Sequence, residues 1–144
     1  MKKFLCITVF IFAAIVLHLI YPYLSFWNSD IYLVEFGHTM SLGQKMKKGN
    51  TNIGIVDGVV DYKIKGKYLL VLNMIIIVHD TSITYTGLHQ YWVIKYNTGK
   101  VTGPLSDDEF DKILIENKLG KNDLSIPDGY WKYCTVLCGQ GGGS

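Results

Sequence analysis

A chain of 144 residues has room for one modest domain plus a tail or an anchor. All 14 basic residues are lysine, arginine is absent, and the net charge is only +2. That argues against a surface built to read phosphate or nucleic acid by shape, which favours the planar guanidinium fork and a strong positive field.

Hydrophobic residues make up 49% of the chain, and much of the excess lies before Asn28. Lys2 and Lys3 lead into FLCITVFIFAAIVLHLIYPYLSFW, and no charge returns before Asp30. From Phe4 to Ile20 only Thr8 and His18 interrupt the apolar run, close to the roughly 20 residues a helix needs to cross a bilayer. Tyr21, Tyr23 and Trp27 gather at its far end, where an aromatic belt would sit. With both lysines on the near side, the positive-inside tendency puts the N-terminus in the cytoplasm and the remainder beyond a bacterial inner membrane, periplasmic or extracellular. Ala13-Ala14 lies inside the apolar run and Ser25 has bulky neighbours, so an uncleaved signal anchor over 1–27 is favoured above a cleaved signal peptide. Cys6 comes too soon after the lysines to serve as a lipidation site.

Residues 28–133 read as the exported domain. Ile31–Phe36 alternates as an early strand. Met40–Asn52 turns polar, with Lys45, Lys47 and Lys48, and reads as an exposed loop: a solvated face, or a basic patch for an acidic partner or anionic headgroups. Val60, Tyr62 and Ile64 alternate with Asp61, Lys63 and Lys65, a strand with one wet face. Gly66 turns the chain into Tyr68–His79, an apolar run rich in β-branched residues and too short to span a bilayer as a helix. A central strand covered on both faces fits it better, sharing a core with Trp92, Ile94 and a later helix. Asp80–Gln90 reads as a polar loop.

Gln90–Gly120 carries the clearest local signals. Tyr91, Val93 and Lys95 alternate with Trp92, Ile94 and Tyr96, and Asn97-Thr98-Gly99 supplies a hairpin turn. Val101 and Thr102 begin the return strand, which Gly103-Pro104 stops. Ser106 stands three residues before Glu109, a capping box, and Asp107, Asp108 and Glu109 suit the positive end of a helix dipole. Phe110, Ile113, Leu114 and Asn117 form a core-facing stripe, with Gly120 as the C′ residue. Pro127 and Gly129 flank an irregular stretch, and Tyr130-Trp131 docks the end of the domain on the sheet.

Residues 134–144 form a tail. Cys134 and Cys138 are candidates for a small-loop disulfide in an oxidising compartment, ahead of free thiols and of metal or redox chemistry. The terminal GQGGGS reads as a flexible tail or an engineered linker.

Constellations for chemistry are thin. His38, His79 and His89 lie outside the apolar leader, and His79 with Asp80 and His89 could converge on zinc, yet no HExxH or His-x-His pattern supports this. Ser82 and Ser106 lack a G-x-S-x-G setting, and Ser106 already has its capping task. The carboxylates of Asp107–Asp111 fit a helix start, and no glycine-rich phosphate loop occurs. No catalytic, cofactor-binding or metal residue is therefore assigned. Ten Tyr and three Trp are many for one small core; they read equally as cross-strand filler or as an interface. Tyr85, Tyr91 and Trp92, with Lys45, Lys47 and Lys48, are the candidate partner-binding residues.

The run YWVIKYNTGKVTGPLSDDEF resembles a family of small bacterial exported proteins of uncharacterised function, many of them lipoproteins. Their members carry a Tyr-Trp-Ile-Ile strand, a Thr-Gly-Lys turn, Gly-Pro-Leu and a helix with an early aromatic. The matching residues are Tyr91, Trp92, Ile94, Thr98, Gly99, Lys100, Val101, Gly103, Pro104, Leu105 and Phe110. This chain departs from the family in lacking a usable lipobox Cys, which favours a peptide anchor. The resemblance implies no enzymatic activity, and some such envelope proteins look like immunity partners of secreted toxins.

The expected architecture is thus α+β: an antiparallel sheet of about five strands with one C-terminal helix packed on it, preceded by a single N-terminal transmembrane helix. The expected function is a non-enzymatic, membrane-anchored protein that binds another protein, such as a toxin it neutralises. The alternatives are an accessory or structural subunit of an envelope complex and, third, a metal-dependent hydrolase.

Overall fold

Strand alternation, glycine turns and one capping box order the chain as α1 (Lys2–Trp27), β1 (Ile31–Phe36), β2 (Thr39–Lys45), β3 (Asn52–Lys65), β4 (Tyr68–Val78), β5 (Ile83–Lys95), β6 (Lys100–Leu105), α2 (Asp107–Glu116) and the single turn α3 (Asp128–Trp131). The computed structural model describes residues 2–36, 39–45, 52–78 and 83–131, without the side chains of 2–8, 10, 36, 52 and 131. His38, Lys47, Lys48, His79, Asp80, Ser82, Cys134, Cys138 and the glycine-rich end lie outside the described residues.

The strands form one six-stranded antiparallel sheet in chain order, each pairing with the next. That is one strand more than expected, because Met40–Lys45, the first part of the expected loop, is strand. In β2, Leu42 is fully buried and Thr39 nearly so, and a Cβ on Gly43 would strike the Tyr32 ring at 2.5 Å. Two inward side chains and a close approach over glycine outweigh the polar average of the segment. The supposed loop before Gln90 is also mostly strand: β5 starts at Ile83, and the Thr86 hydroxyl donates to the Ile75 carbonyl at 2.9 Å.

Both faces of the sheet are covered. On one, Val60, Leu70, Leu72, Met74, Tyr85, Tyr91 and Val93 pack under Phe110 and Leu114 of α2 and under Leu124. On the other, Leu42, Val56, Val59, Leu69, Val71 and Ile94 gather with Ile31, Tyr96 and Phe26 from the end of α1. Trp92 and Ile94 therefore do not share a core with α2, as expected; Tyr91 and Val93 do. With both faces dry, a period of two identifies a strand but cannot say which face the helix takes. The sheet curls around its second cluster. At one end of the sheet the Gln44 side chain stands where a Cβ on Gly99 would approach its Nε2 to 2.6 Å, so the β2 end meets the β5–β6 turn.

Gly58 divides β3. Its φ of +69° and the Met74 carbonyl, 2.3 Å from a hypothetical Cβ, admit no side chain. Before this bulge β3 pairs with β2; after it β3 pairs chiefly with β4, from Val59↔Asn73 to Lys65↔Tyr68. The rungs Ile76↔Tyr85, Ile77↔Thr84 and Val78↔Ile83 therefore extend past β3 as a two-stranded arm.

The wet face expected on β3 is a polar seam that holds the C-terminal segment. Lys63 and Lys65 each lie 3.0 Å from the Asp123 carboxylate, Lys65 donates to the Lys121 carbonyl, and Ser125 donates its N–H to Asp61 at 2.9 Å. Tyr130 then meets Tyr85 edge-on with ring centres 5.3 Å apart, docking the end of the domain as expected.

The capping box forms as its spacing requires. Ser106 Oγ accepts from the Glu109 N–H, and the Glu109 carboxylate accepts from the Ser106 N–H at 2.9 Å. The other end of α2 differs from expectation. The cap is Asn117, the Leu119 N–H donates to the Leu114 carbonyl, and the Lys118 N–H donates to the Ile115 carbonyl, a Schellman motif. Lys118, at φ +55°, takes the left-handed position, and Gly120 falls two residues beyond it.

Candidate functional site

Two surfaces merit a functional reading. The first is α1. Of its described large apolar side chains, Val9, Ile11, Phe12, Ile15, Leu17, Leu19, Ile20 and Leu24 are exposed, as are Tyr21, Tyr23 and Trp27. Exposed apolar residues at successive positions face every direction around the axis, and a helix apolar all round is one that belongs inside a core or a membrane. Among the described side chains of α1, Phe26 enters the domain's core, edge-on to Tyr96 at 5.7 Å. The helix spans 26 residues; among the described residues, no helix is long and apolar enough to cross a membrane.

The second surface is the arm. Ile77, Val78 and Ile83 are exposed there, Val78 at 69%, and Leu88 is exposed at its base. It stands at the opposite end of β4 from Tyr68 and the Gly66 turn, and hence away from α1. The residues expected to bind a partner do not meet there. Tyr85 is 1% exposed and Tyr91 6%; burial removes both from any free surface, and this corrects the expectation. Trp92 is half-buried, its indole N–H donating to the Asn73 amide oxygen at 2.8 Å. Lys45 is exposed, beside Gln44, which meets the β5–β6 turn away from the arm. The arm's apolar side chains escaped sequence reasoning because Ile77 and Val78 close a run that reads as buried throughout.

Beneath the start of α2, His89, Tyr91 and Asp107 converge. Tyr91 stacks on Phe110 with ring centres 4.4 Å apart. Burial pushes the phenol above its ordinary pKa, and Asp107 adds to the effect. His89 Nε2 is 3.6 Å from Asp107. A His–Asp pair can move a proton, but the hydroxyl nearest in sequence is engaged: Ser106 Oγ donates to Glu109 at 2.8 Å. Among the described residues no group of three or more His, Cys, Asp or Glu could hold a metal.

Fold and surfaces together define an α+β domain, a six-stranded meander with one helix on it, led by an exposed apolar helix. No family model matches the chain, and neither the curated proteins nor the solved structures yield a match. The resemblance of Tyr91–Phe110 to small exported proteins thus rests on those residues alone.

Proposed function

We propose that this chain is a single-pass, membrane-anchored envelope protein whose exported domain acts by binding another protein rather than by catalysis. The observation that carries the reading is α1: from Val9 onward its described apolar side chains are mostly exposed, and it meets the domain near its end, through Pro22 and Phe26. A bilayer would cover what the domain leaves bare. The arm supports the binding half, because it holds exposed aliphatic side chains at the end of the domain farthest from α1. An immunity protein that neutralises a secreted toxin is the most concrete form of this reading, supported by the resemblance of Tyr91–Phe110 to small exported proteins of uncharacterised function, some of which look like immunity partners of secreted toxins.

Expressed in a bacterial host, the full chain should stay with membranes through alkaline carbonate extraction, and a reporter fused after Tyr133 should be active outside the cytoplasm. A chain released by carbonate, or a reporter active only in the cytosol, refutes the anchor. A second reading, an accessory subunit of an envelope complex held through α1, is favoured by the same all-round exposure, which a neighbouring membrane helix could also cover. Replacing residues 1–27 by an unrelated anchor abolishes function on that reading and spares it on the first.

A further inference from the structure

We infer that the end of the sheet from which α1 leaves is a docking surface for anionic phospholipid headgroups. The inference rests on the anchor reading. Strand register sets Lys65, Tyr68, Lys95 and Lys100 as successive cross-strand partners in one row. Lys67 occupies the adjoining β3–β4 turn, and Lys45 ends β2, its N–H donating to the Asp30 carbonyl at 2.8 Å. This is also where α1 arrives: the Tyr96 hydroxyl reaches the carbonyls of both Pro22 and Gly66, and Trp27 stands 79% exposed at the junction. Lys45 and Lys67 therefore flank the exit of the apolar helix, while Lys65, Lys95 and Lys100 occupy the same end of the sheet on its α2 face.

Their pairing is uneven. Lys65 is held by Asp123. Among the described residues, the ion pairs are Lys63 and Lys65 with Asp123 and His89 with Asp107, leaving Lys45, Lys67, Lys95 and Lys100 without one. Lys95 and Lys100 face each other directly, an arrangement of like charges that disfavours the sheet unless an anion intervenes. They share a cavity of about 300 Å³ with one carboxylate, Glu116. The other carboxylates of α2 sit towards its start, with Asp107 next to His89 on the rung of Met74, well away from Lys95 on the rung of Tyr68. A membrane entered by α1 would bring lipid phosphates within a Debye length of these lysines, and where the facing leaflet carries anionic lipid each unpaired lysine would contribute up to about fivefold to surface affinity.

The test reconstitutes the full chain in nanodiscs of phosphatidylcholine alone or with added phosphatidylglycerol, and follows amide hydrogen exchange at Gly66, Lys67 and Asn97–Gly99. Exchange at these turns should slow roughly fivefold or more in the anionic discs, and high salt or the double change Lys67→Glu with Lys100→Glu should abolish the slowing. Equal exchange in both lipids, with the chain still in the discs, overturns this inference and leaves the anchor standing. A chain that enters neither disc overturns the anchor reading and this inference with it. Slowing by inorganic phosphate in phosphatidylcholine discs would mark a free-anion site and overturn the lipid assignment. The lipid comparison on the unaltered chain decides the matter whatever the double variant does.

Discussion

The hydroxyl of Tyr96 lies 3.2 Å from the carbonyl of Pro22, and it also reaches the carbonyl of Gly66. One phenolic proton thus serves two acceptors, one in α1 and one in the β3–β4 turn. With Phe26 edge-on to the same ring at 78°, this is the joint between leader helix and domain.

Tyr96→Phe should cost about 1–2 kcal/mol, because it strips the donor and leaves the carbonyls to weaker partners. Phe26→Ala should cost about 3 kcal/mol through its cavity, whereas Trp27→Ala, next in sequence but exposed, should stay within about 0.5 kcal/mol. Urea unfolding of the full chain in detergent reads all three. A Trp27 variant as damaging as the Phe26 variant would mean that the joint is misassigned.

Lys118 holds a left-handed conformation that costs an ordinary residue and suits glycine. Lys118→Gly should raise stability by about 0.5–1 kcal/mol while Gly120→Ala, whose site is open but whose φ is +83°, lowers it. The pair of midpoints reports which residue ends α2 as its C′. A destabilised Lys118→Gly protein contradicts the Schellman ending.

Two carboxylates set the acid limb of stability. The backbone N–H of Ser106, and then its hydroxyl, hold Glu109 below its ordinary pKa. Burial pulls Asp123 upward, but hydrogen bonds from Lys63 and Lys65 outweigh it and bring the carboxyl below its usual range. Folded values below unfolded ones mean stability that is present above the unfolded carboxylate range and lost as pH falls through the folded values. The urea midpoint should therefore drop below about pH 4, and Ser106→Ala should flatten that decline. At the alkaline limb the sign reverses. Burial raises Tyr91 and Tyr130, so their contribution holds below about pH 10 and is lost as pH climbs through the folded values.

The arm should tolerate charge without unfolding. Val78→Lys and Ile83→Lys alter exposed side chains on rungs beyond the third strand, so the urea midpoint should move by no more than about 0.5 kcal/mol equivalent. Partner capture from the native host or its rivals by the full chain should fall at least tenfold, as for loss of an apolar anchor. Undiminished capture would exclude the arm as the contact.

Signals confined to a few residues were legible in advance. Ser106 with Glu109 and Asn97-Thr98-Gly99 need only their own neighbours, and both formed where spacing put them. What depended on distant partners was not. Gly43 and Thr86 read as loop residues until Tyr32 and the Ile75 carbonyl are brought against them. Tyr85 and Tyr91 looked like surface aromatics because a lone sequence does not reveal that Tyr130 and Phe110 will cover them. Gly120 was the better chemical choice for a helix end, and the hydrogen bonds of Leu119 and Lys118 settled on a lysine instead.

The meeting of Gln44 with Gly99 has a consequence for biogenesis. A ribosome delivers Leu42, Val59, Leu69 and Val71 long before Ile94 and Tyr96, which complete their shelter. Until the β5–β6 turn has emerged, the nascent half-sheet offers greasy side chains to whatever factor escorts it, and a pause placed just before Tyr91 would be the most hazardous moment of its synthesis.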